Sequence, residues 1–272
     1  MKKHQNLHSH TLYCDGSLTP EQMINAAIEK QCYSFGFSGH SYAPYDEKHC
    51  MSPENTRKYK TEIAQLKEKY AGKIELYTGI EQDYYSELDQ GDVDYIIGAV
   101  HFTKKGDALV CIDGGASGQK QGCEEYYGGD YYALAEGYYE TVADVAKKTN
   151  ADIIAHFDLV VKYNFGGKLF DETHTRYRKA ALDAMGEILK DCNLFEVNTG
   201  AMYRFGKSEP YPSIFLLKEL HKRGGEVILS SDSHDAASIC HKFDEMKELL
   251  KTIGYKYIKK LTKTGFESTK LE

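Results

Sequence analysis

Nine side chains scattered along the chain, His8, His10, Asp15, His40, Glu81, His101, His156, Asp232 and His234, are of the kinds that hold divalent metals. Together they supply ligands for a cluster of ions. His8 and His10 stand one residue apart in an extended segment, so both rings project from one face and can grip a single ion. Glu81 has two oxygens and can bridge two ions, which an imidazole normally cannot, so it is the candidate bridge. Asp232 and His234, in the run SSDSH, share a face if a strand continues through them. Imidazole suits zinc, iron and manganese, and carboxylates favour the harder members of that set. A structural metal site closes around about four ligands, whereas open and shared coordination points to metal-dependent hydrolysis.

Several of the nine end an apolar run, where a strand of an α/β barrel hands its last side chain to the active face. YSFGFSGH ends on His40, KIELYTGIEQDY delivers Glu81, DVDYIIGAVHF ends on His101 and ADIIAHFD reaches His156. LFEVNTG and GEVILSSDSH supply further strands. Thr19-Pro20-Glu21 and Ser52-Pro53-Glu54 each place an N-cap before a proline at the first helical position, and the second helix runs to Lys69 with Ile63 and Leu66 at helical spacing. Helices are also predicted over 131–148, near 173–190 and near 213–223. This recurrence of strand, ligand, loop and helix is the rhythm of one barrel domain over residues 1–272. A doubly wound open sheet is the competing architecture, because chain order alone does not show closure. The glycine-rich stretch from about 104 to 130 lacks a periodic signal and is expected to be a long loop excursion over the active face. The terminal Leu271-Glu272 pair is set aside as a cloning remnant.

The formal charge of -7, from 34 basic and 41 acidic residues, makes the average surface repel a polyanion, so nucleic acid is not expected as a partner. MKKHQNLHSH lacks the apolar region of a signal peptide, and no apolar run reaches the roughly 18 residues a membrane helix needs. A cytoplasmic location with no membrane association is the expectation. The 7 cysteines are odd in number with no CxxC pair, and are expected as reduced thiols. Cys14, beside Asp15, is the one that could lie close to the metals.

The runs NLHSHTLYCDG (6–16), FSGHS (37–41), GIEQDY (79–84), GAVHF (98–102), AHFDLVVKY (155–163), FEVNTGAMYR (195–204) and SSDSH (230–234) span nearly the whole chain. In them the chain resembles the polymerase-and-histidinol-phosphatase (PHP) superfamily, in its monofunctional histidinol-phosphatase branch. The resemblance implies a distorted (β/α)7 barrel, TIM-like, with the active site at the C-terminal ends of the strands and three divalent metal ions, zinc, manganese or iron. By that analogy His8, His10, Glu81 and Asp232 hold one ion, Glu81, His101 and His156 a second, and Asp15, His40 and His234 the third. It further implies a phosphomonoesterase that hydrolyses L-histidinol phosphate, a small phosphorylated amino alcohol, in histidine biosynthesis. The alternative is a PHP-type phosphoesterase acting on nucleotides or nucleic-acid ends. Homo-oligomerisation is left open.

In such a site, water made nucleophilic by the ions that share Glu81 attacks phosphorus in line, and the third ligand set, including His40, draws on a phosphate oxygen. Arg204 and Lys162 are the expected phosphate contacts, arginine being favoured because its planar fork meets two oxygens. Asp232 or His234 is expected to relay a proton to the leaving alkoxide. Asp158 either orients a ligand ring or simply ends its strand. The acidic, tyrosine-rich CEEYYGGDYY (123–132) offers acceptors and aromatic faces for the amine and imidazole of the substrate if it folds over the site. His4, His49, His174, His221 and His241 have no comparable setting and are read as structural or exposed.

Overall fold

The computed structural model describes residues 3–86 and 91–271. After β1 (His4–Asn6), helix α1 (Pro20–Glu29) opens with a reciprocal capping box between Thr19 and Gln22. β2 (Cys32–Phe37) follows, then α2 (Pro53–Lys69), where the Ser52 hydroxyl accepts from the Asn55 N–H. Both helices place proline in the first turn, where its missing N–H would have had no intrahelical partner. β3 (Glu75–Asp83) and β4 (Tyr95–Ala99) precede a hairpin, β5 (Phe102–Lys105) and β6 (Ala108–Cys111), and three helices, α3 (Ala116–Tyr127), α4 (Tyr131–Val142) and α5 (Val145–Thr149). The chain then runs through β7 (Ile153–Ile154), α6 (Thr175–Ile188), β8 (Leu194–Asn198), α7 (Gly200–Phe205), α8 (Ile214–Lys222), β9 (Glu226–Ser230) and α9 (Phe243–Ile253). It ends in a second hairpin, β10 (Tyr257–Thr262) and β11 (Gly265–Lys270).

Among the described residues, seven strands pair in parallel in the order β1-β2-β3-β4-β7-β8-β9. The two edges meet just beyond β1 and β9, where Ser9 and Ser233 form a parallel bridge. There the His10 N–H donates to the Ser233 carbonyl at 2.8 Å and the Ser233 N–H to the His8 carbonyl at 3.1 Å. The result is a nearly closed seven-stranded parallel barrel, as the resemblance implied, and the bridge rules out the open sheet.

Strand alternation then decides what faces the barrel axis. Tyr77, Tyr95, Ile97, Ala99, Ile153, Leu194 and Ile228 pack together inside with Leu7 and Leu261. Leu76, Ile80, Phe195, Val197, Val227 and Leu229 belong to the clusters packed outside, beneath the helices. The Tyr95 ring fills the space that Gly36 and Gly79 leave, and its hydroxyl is shared between the carbonyls of Leu7 and Phe37, the latter at 2.9 Å. The second hairpin caps the end away from the strand C-termini. The Gln5 side-chain amide pairs with both backbone groups of Leu261 (2.9 and 2.7 Å), and Lys259 pairs with Glu226 at the start of β9.

Four expectations need revision. The stretch 104–130 is not an irregular loop but holds most of the first hairpin and α3, which the glycines masked in the sequence pattern. The helix expected over 131–148 is broken between α4 and α5. FEVNTGAMYR leaves its strand at Asn198 and turns into α7, so Arg204 sits on a helix. Leu271 is buried and its N–H donates to the Lys256 carbonyl, so it belongs to the fold, while Glu272 lies outside the described residues. Among the described residues no helix is long and apolar enough to cross a membrane.

A Cβ on Gly79 would lie 2.3 Å from the Tyr95 ring, which is buried and fixed at its hydroxyl. Gly79→Ala is therefore expected to lower stability by about 1–3 kcal/mol, read as a lower urea midpoint with an unchanged slope.

Candidate metal centre

The inner faces of β3, β4 and β9 are apolar toward one end and lead to the expected ligands at the other. On β3, Tyr77 and Gly79 are followed on the same face by Glu81 and Asp83, and beyond β4, Ile97 and Ala99 are followed by His101. Ile228 on β9 leads by the same count to Ser230 and Asp232. Just beyond β1 and β7 the count slips by one residue, from Leu7 to His8 and from Ala155 to His156, so simple alternation would have pointed those two rings outward. The strand does not continue through SSDSH as a regular element. Asp232 takes a left-handed backbone (φ 46), a conformation Asp tolerates better than most residues, and the bend still leaves His234 Nδ1 3.6 Å from Asp232 Oδ1.

All nine predicted ligands converge, with buried Glu81 at the middle. Its Oε2 lies 3.2 Å from His8 Nε2, 3.4 Å from His10 Nε2 and 3.0 Å from His40 Nδ1. Its Oε1 lies 2.9 Å from His156 Nε2 and 3.4 Å from His101 Nε2. Asp232 Oδ1 is 3.3 Å from His10 Nε2, and Asp15 Oδ2 is 3.1 Å from His234 Nε2 and 3.6 Å from His40 Nε2. Donor atoms about 2.0–2.2 Å from a shared ion stand roughly 3–4 Å apart, so this spacing fits metal coordination. Three groups have ligand atoms within 4.8 Å of one another: His10, Asp15, His40 and His234; His8, His10 and Asp232; His40, Glu81 and His101. His8 Nε2, His10 Nε2, Asp15 Oδ1 and Glu81 Oε2 are buried without a hydrogen-bond partner, which is costly unless a cation satisfies them. Cys14 Sγ, 3.6 Å from His10 Nδ1, does lie close to this cluster.

Two carboxylates that the ligand pattern did not single out hold the rings in place. Glu196 Oε2 contacts His8 Nδ1 at 2.7 Å and accepts from the Ser230 hydroxyl, while its Oε1 accepts from the His156 N–H and from Asn198. Asp83 Oδ2 contacts His101 Nδ1 and accepts from the His101 N–H, both at 3.1 Å. Their signal was in the sequence: Glu196 is a carboxylate inside an apolar strand, and Asp83 shares the face of Glu81. Asp158 does not orient a ligand ring. Its Oδ2 accepts from the Ser213 N–H ahead of α8, and burial pushes its carboxyl up to about 7.

A cavity of about 450 Å³ opens onto the cluster, walled in part by Asp15, His40, Glu81, His101, His156, Asp232 and His234, with Arg204 and Lys162 also on its wall. Arg204 spends part of its fork on Asp232, Nη1 on the carbonyl at 2.6 Å and Nη2 on Oδ2 at 2.7 Å, and so braces the left-handed residue. Residues 123–132 do not reach the cavity. Asp130 instead caps α4 and pairs with Arg176, and the wall expected of that segment comes from Cys111 and Asp113–Gly115. His49, read as structural or exposed, stands at the cavity wall against Asp46.

Burial disfavours the cationic form of His8, yet Glu196, Glu81 and Asp232 together hold it up to about 10. His101, likewise buried, is held up to about 10 by Glu81 and Asp83. Glu81 is buried too, but His40, His8 and His101 keep it well below the usual carboxylate range, and Arg204 and His8 do the same for Asp232. These shifts keep Glu81 and Asp232 in the carboxylate form and favour protons on His8 and His101 that a metal must displace.

Residues 6–200 match the family described as PHP domain. A Deinococcus radiodurans protein assigned as a histidinol-phosphatase is 27% identical over 260 residues, covering 91% of this chain and 92% of its own. The fold matches a Listeria monocytogenes structure assigned as a histidinol phosphatase, with a TM-score of 0.76, 18% identity and 89% and 99% of the two chains covered. It also matches the histidinol phosphate phosphatase of Lactococcus lactis, solved with zinc, L-histidinol and phosphate, with a TM-score of 0.67, 19% identity and 97% and 98% covered.

Zinc loading is expected to release protons, read by calorimetry in two buffers of different ionisation enthalpy. Since protons compete more strongly for the raised His8 and His101 as pH falls, zinc affinity should weaken from about pH 9 to about pH 6. Glu196→Gln keeps the shape but weakens the acceptor behind His8, and should lower zinc affinity about 10- to 100-fold.

Proposed function

The chain belongs to the PHP domain family, and from that premise we propose that it is a metal-dependent phosphomonoesterase that hydrolyses L-histidinol phosphate to L-histidinol and phosphate, a step of histidine biosynthesis. The observation that carries this reading is the division of labour on Glu81. One oxygen faces His8, His10 and His40 and the other faces His101 and His156, the arrangement of a carboxylate bridging two ions. His8, His10, Glu81 and Asp232 are assigned to one ion, Glu81, His101 and His156 to a second, and Asp15, His40 and His234 to a third, with zinc, manganese or iron as the metal. Bound divalent ions neutralise phosphoryl oxygens and make water nucleophilic near neutral pH.

The chain's own groups do the rest. Arg204 has donors left over after bracing Asp232 and sits on the cavity wall, where it can meet a phosphoryl oxygen, with Lys162 and His40 beside it. The leaving alkoxide needs a proton. Arg204 contacts both Asp232 and His234, and the relay is assigned to whichever of these two is not taken up by a metal ion. The Lactococcus complex with zinc, L-histidinol and phosphate, and the histidinol-phosphatase assignment of the Deinococcus relative, support this substrate.

Phosphate release by the manganese- or zinc-loaded protein should favour L-histidinol phosphate over sugar phosphates, nucleotides and a dinucleotide by at least about tenfold in kcat/KM, and a chelator should abolish it. Glu81→Gln should lose about a hundredfold or more in kcat. Preference for nucleotides or the dinucleotide would move the assignment to the nucleotide-directed alternative.

A further inference from the structure

The cavity wall carries a charge pair that none of the ligand sets uses. Asp113 Oδ2 lies 3.3 Å from Lys162 Nζ, and both side chains are largely covered. Asp113 does not depend on that pair for its position. Its carbonyl accepts from the Tyr163 hydroxyl at 2.5 Å, and the same hydroxyl accepts from the Gly115 N–H at 2.9 Å, so the backbone around it is pinned to the segment after β7. Among the described residues its other carboxylate oxygen has only the weak contact of the Cys111 thiol at 3.9 Å, which leaves acceptor capacity on the cavity wall. In that same position the Lys162 ammonium stands 5.7 and 5.5 Å over the rings of Tyr163 and Phe205, contacts that favour a cation at this point of the wall.

The ester proposed above, on which this step rests, carries an ammonium two carbons from its ester oxygen and a dianionic phosphoryl group beyond that. It therefore brings the same two opposite charges that the wall already holds side by side. On binding, the ammonium can take the Asp113 carboxylate while Lys162 turns to the phosphoryl oxygens, exchanging one ion pair for two without leaving a buried charge alone. We propose that Asp113 is a specificity-determining residue that accepts the α-ammonium of the substrate, and that its resting pair with Lys162 holds the place of both substrate charges. Phosphate esters lacking that amine leave Asp113 with Lys162 and compete for its release.

The test compares L-histidinol phosphate with its des-amino analogue, 3-(imidazol-4-yl)propyl phosphate, on the metal-loaded wild type, Asp113→Asn and Lys162→Met. Wild type should prefer the amine-bearing ester by about 10- to 100-fold in kcat/KM, the range of a charge-assisted hydrogen bond. Asp113→Asn should cut that ratio to below about threefold, mainly through KM. Lys162→Met should slow both esters together and keep the ratio. An Asp113→Asn ratio that stays at the wild-type value, however low the absolute rates, overturns the proposal, as does a wild type that hydrolyses both esters equally. A wild type that hydrolyses neither ester but releases phosphate from nucleotides overturns the functional reading itself, and is distinguishable from both.

Discussion

The structure is organised around a carboxylate in a place where a carboxylate alone would be ruinous. Glu81 is 1% exposed, and an ion taken that far from water carries a desolvation penalty of several kcal/mol unless opposite charge surrounds it. Five imidazoles do surround it, divided between its two oxygens. That crowd is itself unstable at neutral charge balance. The histidines must share protons with Glu81, Asp232 and Asp15, or give way to metal ions that satisfy the same atoms with better geometry. The Nε2 atoms of His8 and His10, buried without a hydrogen-bond partner, fit coordination of a metal. Glu196 and Asp83 then work from behind, fixing the rings so that their free nitrogens point at the shared centre.

The barrel is what brings these groups within reach. Seven parallel strands put residues 8 to 234 at one rim, and a period of two lets the same inner face be apolar below and polar above. Tyr95 fills the core beneath the ligands, with the Gly36 and Gly79 backbones against its ring and its hydroxyl on β1 and the end of β2. The two places where the count slips, Leu7 to His8 and Ala155 to His156, lie just beyond β1 and β7, both very short strands. There the chain gives up ladder hydrogen bonds, and the site gains rings that regular strands would have turned away.

Much of this was legible before any coordinates. The ends of the apolar runs located His40, Glu81, His101 and His156, and the Thr19 and Ser52 caps opened the helices where expected. The second layer was not, because residue type alone does not separate a carboxylate that binds metal from one that orients a ring, as Glu81 and Glu196 show. Asp158, two residues from a ligand, was open between orienting a ring and ending its strand, and the chain turns there and carries it off to Ser213. The hairpin and α3 were hidden for a different reason. Seven glycines from 106 to 129 suppress both helical and strand signals, and the segment takes its structure from packing Val110, Ile112 and Cys123 against α4.

The central claim is that Glu81 bridges two ions. A crystal structure of the manganese-loaded protein, with anomalous data collected above and below the manganese edge, tests it most directly. The account predicts three anomalous peaks, two of them about 3.5–4 Å apart with one on each oxygen of Glu81, and the third at Asp15, His40 and His234. A single ion on Glu81, or peaks that leave either of its oxygens uncoordinated, would contradict it.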